Sequence, residues 1–172
     1  MSAYEAILLT IITASTPLLL AAIGELVVER SGVLNLGLEG MMVMGAVSGF
    51  AMAQLTGSAW LGVVMAMLAG IAMSLLFAFL TQTLVTNQVA TGLSITLLGL
   101  GLSGLIGSGF VGMPGIKLEH VSIPVLSDLD VVGKLVFGQD PLVYISIVLV
   151  LGVSYMLKHT RMGLIIRAVG QN

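Results

Sequence analysis

Cysteine is missing from this 172-residue chain, and charge is nearly so. The first absence excludes disulfides, thiol nucleophiles and thiolate metal sites. The second is a matter of degree: six Lys/Arg and eight Asp/Glu make 8% of the residues, about a third of what a soluble domain carries. An ordinary water-soluble protein is excluded. A formal charge of −2 provides no basic surface for nucleic acid. What is present is apolar: 58% hydrophobic residues with 22 glycines and a mean hydropathy of +1.15. The glycines follow no collagen period, and the hydropathy is far too high for a disordered chain. The class left is an all-α, polytopic membrane protein.

The placement of the charges fixes the number of crossings. From Gly40 to Ile116 there are 77 consecutive residues without Asp, Glu, Lys or Arg, and a span needs about 20 residues. Three crossings fit there. Ala6 to Gly24 and Pro141 to Leu157 add one on each side. The 19-residue first stretch follows no basic residue and is longer than a signal core, so it reads as a span and not a cleaved leader. Gly57-Ser58-Ala59-Trp60 marks a tight turn with an interfacial aromatic, and Thr81 to Gln88 a second break. The predicted spans are 6–24, 38–56, 60–80, 90–111 and 141–157, in a single transmembrane domain without internal repeats. Residues 112–140 hold Pro114, Pro124 and six charges, and form a loop of their own.

Small residues recur at every fourth position in three spans: Gly45, Gly49, Ala53 and Gly57; Ala66, Gly70, Ser74 and Ala78; Gly99, Ser103 and Gly107. Four residues make about one helical turn. Each set therefore lies along one face, and in lipid, close approach along such stripes is how helices associate. A bundle is expected.

Lys158, Arg161 and Arg167 follow the fifth span with no acidic residue after Asp140, which makes that end cytoplasmic by the positive-inside rule. The loop one span earlier is net acidic and faces outward. Counting back, residues 25–37 lie inside and the N-terminus outside.

Two segments carry more than hydropathy. In Gly24 to Met42, Glu25, Glu29, Arg30, Asn35 and Glu39 interrupt apolar residues between two spans. The stretch reads either as an interfacial or re-entrant segment or as an amphipathic connector with solvated charges. At the C-terminus, Thr160 suits an N-cap, and Met162, Ile165, Ile166 and Val169 fall at helical spacing. Gly170 suits a stop. That helix either rests on lipid or docks in a groove on a soluble partner.

Resemblance narrows these alternatives. GELVVERSGVLNLGLEGMMVMGA, with Glu29, Asn35 and Glu39, resembles the hallmark segment of permease subunits in bacterial ABC importers of the ribose and branched-chain amino acid type. NQVATGLSITLLGLGLSG and KHTRMGLIIRAVGQN are similar to the branch that works with basic-membrane-lipoprotein receptors, whose usual substrates are nucleosides. The resemblance implies that Arg161, Met162, Gly163, Ile165, Ile166, Arg167 and Val169 form, within residues 160–172, a cytoplasmic coupling helix that seats in an ATPase subunit. It further implies two ATPase subunits, a second homologous permease subunit and an extracytoplasmic substrate-binding lipoprotein, all at the bacterial inner membrane. Family members continue past the GQN with further spans, so the chain is expected to be an N-terminal fragment or one piece of a split gene.

The sequence lacks a G-x-x-x-x-G-K-[ST] loop, so ATP would be used by partner subunits and no cofactor would be held by this chain. A neutral polar solute calls for uncharged hydrogen-bonding groups. Asn87, Gln88, Thr91 and Ser94 are the candidates for the pathway, the two amides standing out because amides in an apolar run are costly without a partner. The competing reading places them as a helix cap. An ion-coupled secondary transporter would need intramembrane carboxylates, and only Glu25, Glu29 and Glu39 qualify, at a span edge. An ABC permease for sugars fits the same uncharged lining. No catalytic constellation is present: His120 and His159 fall on opposite predicted sides, and no metal set forms.

Overall fold

In a computed structural model, residues 3–118 and 138–171 are described. The chain forms α1 (Ala3–Arg30), α2 (Leu38–Thr56), α3 (Ala59–Ala78), α4 (Gln88–Gly107), α5 (Pro141–His159) and α6 (Arg161–Val169). A π-helical turn, Phe79–Thr83, extends α3, and a 3-10 turn, Ser108–Phe110, extends α4. No strand occurs among the described residues. Among the described residues, five helices are long and apolar enough to cross a membrane: Ile7–Arg30, Leu38–Thr56, Ala59–Thr83, Gln88–Phe110 and Pro141–His159. Their number is the predicted one, in an all-α polytopic architecture. Of the loop residues named above, Glu119, His120, Asp128, Asp130 and Lys134 are outside the described residues.

The first span differs most from expectation. It runs through Gly24, Glu25 and Glu29 to Arg30 instead of stopping at Gly24. Leu26, Val27 and Val28 continue the apolar run, and one mid-helix glycine costs only about 1 kcal/mol. The helix ends at Gly32, which takes φ +82°, a left-handed conformation open to glycine without penalty. Its amide donates to Glu29 O at 3.0 Å. The non-helical part of the hallmark segment is thereby reduced to residues 31–37.

Contacts divide the chain into two compact units, Met1–Gly32 with Leu118–Asn172, and Val33–Lys117. In the second unit, α2 is the central helix, packed on α3 and α4. Glycine sets both distances. A Cβ on Gly49 would stand 2.9 Å from Gly62 O, and one on Gly62 would stand 2.8 Å from Gly49 O, so α2 and α3 approach backbone to backbone. A Cβ on Gly40 would lie 2.5 Å from Thr96 Cα, and one on Gly99 would collide with the Gly40 carbonyl. Of the predicted stripes, Gly45, Gly49, Ala53, Ala66 and Gly99 take part, while Gly70 meets nothing and Gly57 forms the αL turn at the end of α2. The apolar core beneath these contacts is small: Met41, Met73, Phe77 and Ile95, with Val33, Met44 and Leu80 against it.

The start of the 112–140 loop is tied to this unit. Gln54 donates to Pro114 O at 2.6 Å, and Phe50 meets Phe110 edge to face, centroids 6.3 Å apart. In the first unit, α1 packs on α5, and α6 on α5 and α1.

Candidate functional site

The C-terminal helix is built on a one-residue hinge. Thr160, extended at φ −112° and ψ 157°, is both the last residue of α5's cap and the N-cap of α6. Its hydroxyl donates to Met156 O at 2.6 Å and accepts from the Gly163 amide at 3.2 Å. One side chain thus closes one helix and opens the next, satisfying donors that a helix start leaves orphaned. Gly163 is buried, because a Cβ there would run into Met156 O and Leu157. At the other end, a Cβ on Gly170 would meet Arg30 O and stand 2.8 Å from the Gly32 amide. The predicted stop falls at Gly170, yet for a different reason: its φ is −77°, and closeness to α1 is what requires glycine.

Two glycine contacts therefore seat α6 against α5 and the end of α1, and its opposite face is exposed. Met162, Leu164, Ile165 and Val169 are 59 to 65% exposed. Arg161 is exposed as well, while Ile166 and Arg167 are half-buried, and Arg167 Nε donates to Gly163 O at 3.3 Å. Of the residues expected to couple, Met162, Ile165, Val169 and Arg161 share the open side and Gly163 faces inward. Leu164 was not among the expected residues; its signal in the sequence was hidden because it lies off the three- and four-residue spacing.

A second assembly surrounds the non-helical crossing at Val33–Gly37. Gln88 Oε1 accepts from the Leu34 amide at 2.8 Å. Thr96 Oγ1 donates to Leu36 O at 2.9 Å. Between them Gly92 is bare enough for the crossing to lie on it, since its Cβ would be 2.8 Å from the Leu36 nitrogen. Gln88, Gly92 and Thr96 are spaced by four and occupy one face of α4. Asn35 is buried, accepts from the Gly37 amide at 2.9 Å and points its amide nitrogen at Met41 Sδ, 3.8 Å away. Non-helical backbone leaves its polar groups in need of partners, and α4 supplies two of them, through Gln88 and Thr96. Glu29 lies exposed on the last turn of α1, and Glu39 on the first turn of α2, where a helix N-terminus favours negative charge.

The remaining pathway candidates are placed as follows. Asn87 caps α4, its Oδ1 accepting from the Ala90 amide at 3.1 Å. Thr91 is buried and shares a 2.8 Å hydroxyl bond with Thr86. Ser94 donates back to Ala90 O at 2.8 Å. All four lie on the first two turns of α4 or at its cap, beside a turn in which Val85 takes φ +51°, a conformation rarely found for a β-branched residue.

Five membrane-length helices, a broken crossing between the first two and a short amphipathic helix after the fifth define a multi-pass α-helical membrane protein. The chain belongs to the family described as branched-chain amino acid transport system / permease component, which residues 7–172 match. It is 40% identical over 165 residues to a protein of Haloferax volcanii provisionally named a glucose ABC transporter permease, covering 94% of this chain and 50% of that one. It is 33% identical over 169 residues to a nucleoside ABC transporter permease protein of Lactococcus lactis subsp. cremoris, with 92% and 53% covered. A guanosine ABC transporter permease protein of Bacillus subtilis is likewise 33% identical, over 173 residues, with 92% and 53% covered. The chain spans about half the length of the curated relatives it matches. No solved structure matches it.

Proposed function

We propose that the chain is a permease subunit, or part of one, in an ATP-driven importer of a neutral polar solute, with nucleosides the favoured class, at the cytoplasmic membrane. The observation that carries the reading is α6. Its inner side is fitted to α5 and α1 by glycine, and its outer side offers Met162, Leu164, Ile165 and Val169, the form of a helix presented to a partner groove. Residues 160–172 act as the cytoplasmic coupling element, and 112–140 belong to the outer face. An ATPase pair hydrolyses ATP, a homologous permease completes the translocation unit, and an extracytoplasmic lipoprotein delivers the solute. Two of the three relatives are named for nucleoside or guanosine transport, which supports the solute class. Sugar import is the second reading, favoured by the 40% identical relative.

Asn87, Gln88, Thr91 and Ser94 are proposed to act at the inner end of the solute route, the two amides by holding the 33–37 segment and the α4 start in place. The test is coexpression with a candidate ABC ATPase subunit. Met162→Ser with Ile165→Ser is expected to abolish copurification of the ATPase while membrane insertion is unchanged. Undiminished copurification would remove the coupling role. Gly163 is a poor probe, since any side chain there strikes α5 within the same chain.

A further inference from the structure

The unit formed by Met1–Gly32 and Leu118–Asn172 contains a cleft of about 390 Å³, within the usual range for ligand pockets. Its walls are apolar: Ile23 and Leu26 of α1 face Val150, Val153 and Leu157 of α5. Its other lining residues include three cations, Arg30, Lys158 and Arg167. Arg30 is the last residue of α1, and Lys158 the next to last of α5. Arg167 is in the final turn of α6. All three therefore gather at one end of the helices, while Ile23 and Val150 lie roughly 10 Å further along them at 1.5 Å per residue. No carboxylate lines the cleft among the described residues; neither Glu25 nor Glu29 contributes to it.

An apolar slot on two membrane-length helices, with half of the chain's six Lys/Arg gathered at one end, matches a molecule with a negative head and a hydrocarbon tail. We infer that this cleft binds one anionic phospholipid from the inner leaflet, with its phosphate between Arg30, Lys158 and Arg167 and part of an acyl chain between α1 and α5. A free phosphate ion would have no use for the apolar walls, and a zwitterionic lipid would leave the excess positive charge uncompensated. Because Arg167 belongs to α6 and Arg30 and Lys158 to the helices that seat it, the bound headgroup would tie the amphipathic helix to the bundle. This site is separate from the proposed coupling face, and its test does not use transport.

The experiment is native mass spectrometry of the chain in neutral detergent with phosphatidylglycerol or phosphatidylcholine of identical acyl chains. The wild type is expected to retain about one phosphatidylglycerol in preference to phosphatidylcholine. A cation at an anionic membrane surface contributes about fivefold in affinity, so Arg30→Gln, Lys158→Gln and Arg167→Gln together should lower retention by roughly a hundredfold. Arg30→Lys with Arg167→Lys should keep most of it. Ser154 also lines the cleft, and Ser154→Phe should reduce phosphatidylglycerol retention with every charge in place. Arg161, exposed on α6 and absent from the lining, is the comparator: Arg161→Gln should leave retention as it is. Should the triple variant not fold, Arg30→Gln alone and Ser154→Phe carry the same expectation. Equal retention of the two lipids, an Arg161→Gln loss as large as that of Arg30→Gln, or unchanged binding in Ser154→Phe would each overturn the inference. Displacement of the lipid by inorganic phosphate alone would overturn it too, in favour of a plain anion site.

Discussion

The two units of this chain achieve stability by different means. In Val33–Lys117, 33% of the most apolar window of α2 is buried, 22% of that of α4 and 11% of that of α3, against 6% for α1 and 17% for α5 in the other unit, so the central helix α2 stands apart. The α2–α3–α4 unit is held by backbone meeting backbone at Gly49–Gly62 and Gly40–Gly99, and by side chains of α4 that satisfy the broken crossing at 33–37. The unit containing α1, α5 and α6 keeps an open cleft between α1 and α5 and concentrates its close approaches at Gly163 and Gly170, around the small helix α6. The difference teaches that dense packing here follows the pattern of glycine and not hydropathy. A helix more apolar than its neighbours gains nothing from them in lipid unless its backbone can come close.

The largest expected effect tests the dense unit. Gly99→Leu places a side chain on the Gly40 backbone and should destabilise by about 3 kcal/mol or more, whereas Gly101→Leu, where nothing lies within 4 Å, should stay within about 0.5 kcal/mol or gain slightly from helix propensity. Thermal denaturation in detergent, followed by fluorescence-detected gel filtration, distinguishes the pair. Equal losses would break the account of glycine as the packing determinant.

Next comes the seat of α6. Gly163→Ala should cost about 2 kcal/mol, felt locally: tryptic cleavage at Arg161 and Arg167 should accelerate while the five long helices stay protected. Global unfolding in step with cleavage would mean that α6 is not a separate element of this unit.

The third effect concerns the crossing. Gln88→Leu leaves the Leu34 amide without its acceptor and should cost up to about 1.5 kcal/mol; Gln88→Glu preserves an acceptor and should cost less. In an assembled transporter, Gln88→Leu is also expected to impair uptake. Unimpaired uptake alongside lowered stability would confine Gln88 to a scaffold role.

The smallest is Asn87→Ala, which removes the α4 cap for about 1 kcal/mol. A melting shift without a change in the uptake KM would leave Asn87 as a cap alone.

Much of this was legible beforehand because the signals are local. A charge-free, largely apolar run of 77 residues calls for helices in lipid, because a helix pairs its backbone groups within its own segment and the alternation of a barrel strand is missing. The spans at 38–56 and the helix start at Thr160 followed from Gly57, Thr160 and the apolar spacing. Gly24 misled, because a glycine between apolar neighbours does not end a helix when the run resumes behind it. Gln88 stood out as an amide in an apolar stretch, but its partner, the Leu34 amide, is 54 residues away, beyond any local pattern.

By itself, the sequence determined the class, the number of crossings, the amphipathic C-terminal helix and the absence of thiol chemistry, all consequences of composition and short-range periodicity. Only the tertiary structure decided which glycines touch backbone and which meet nothing, which side of α6 is seated and which is open, that Gln88, Gly92 and Thr96 jointly carry the broken crossing, and that Arg30, Lys158 and Arg167 come together around one apolar slot. Those outcomes depend on how helices distant in the chain pair, and a stripe of small residues permits close approach without naming the partner.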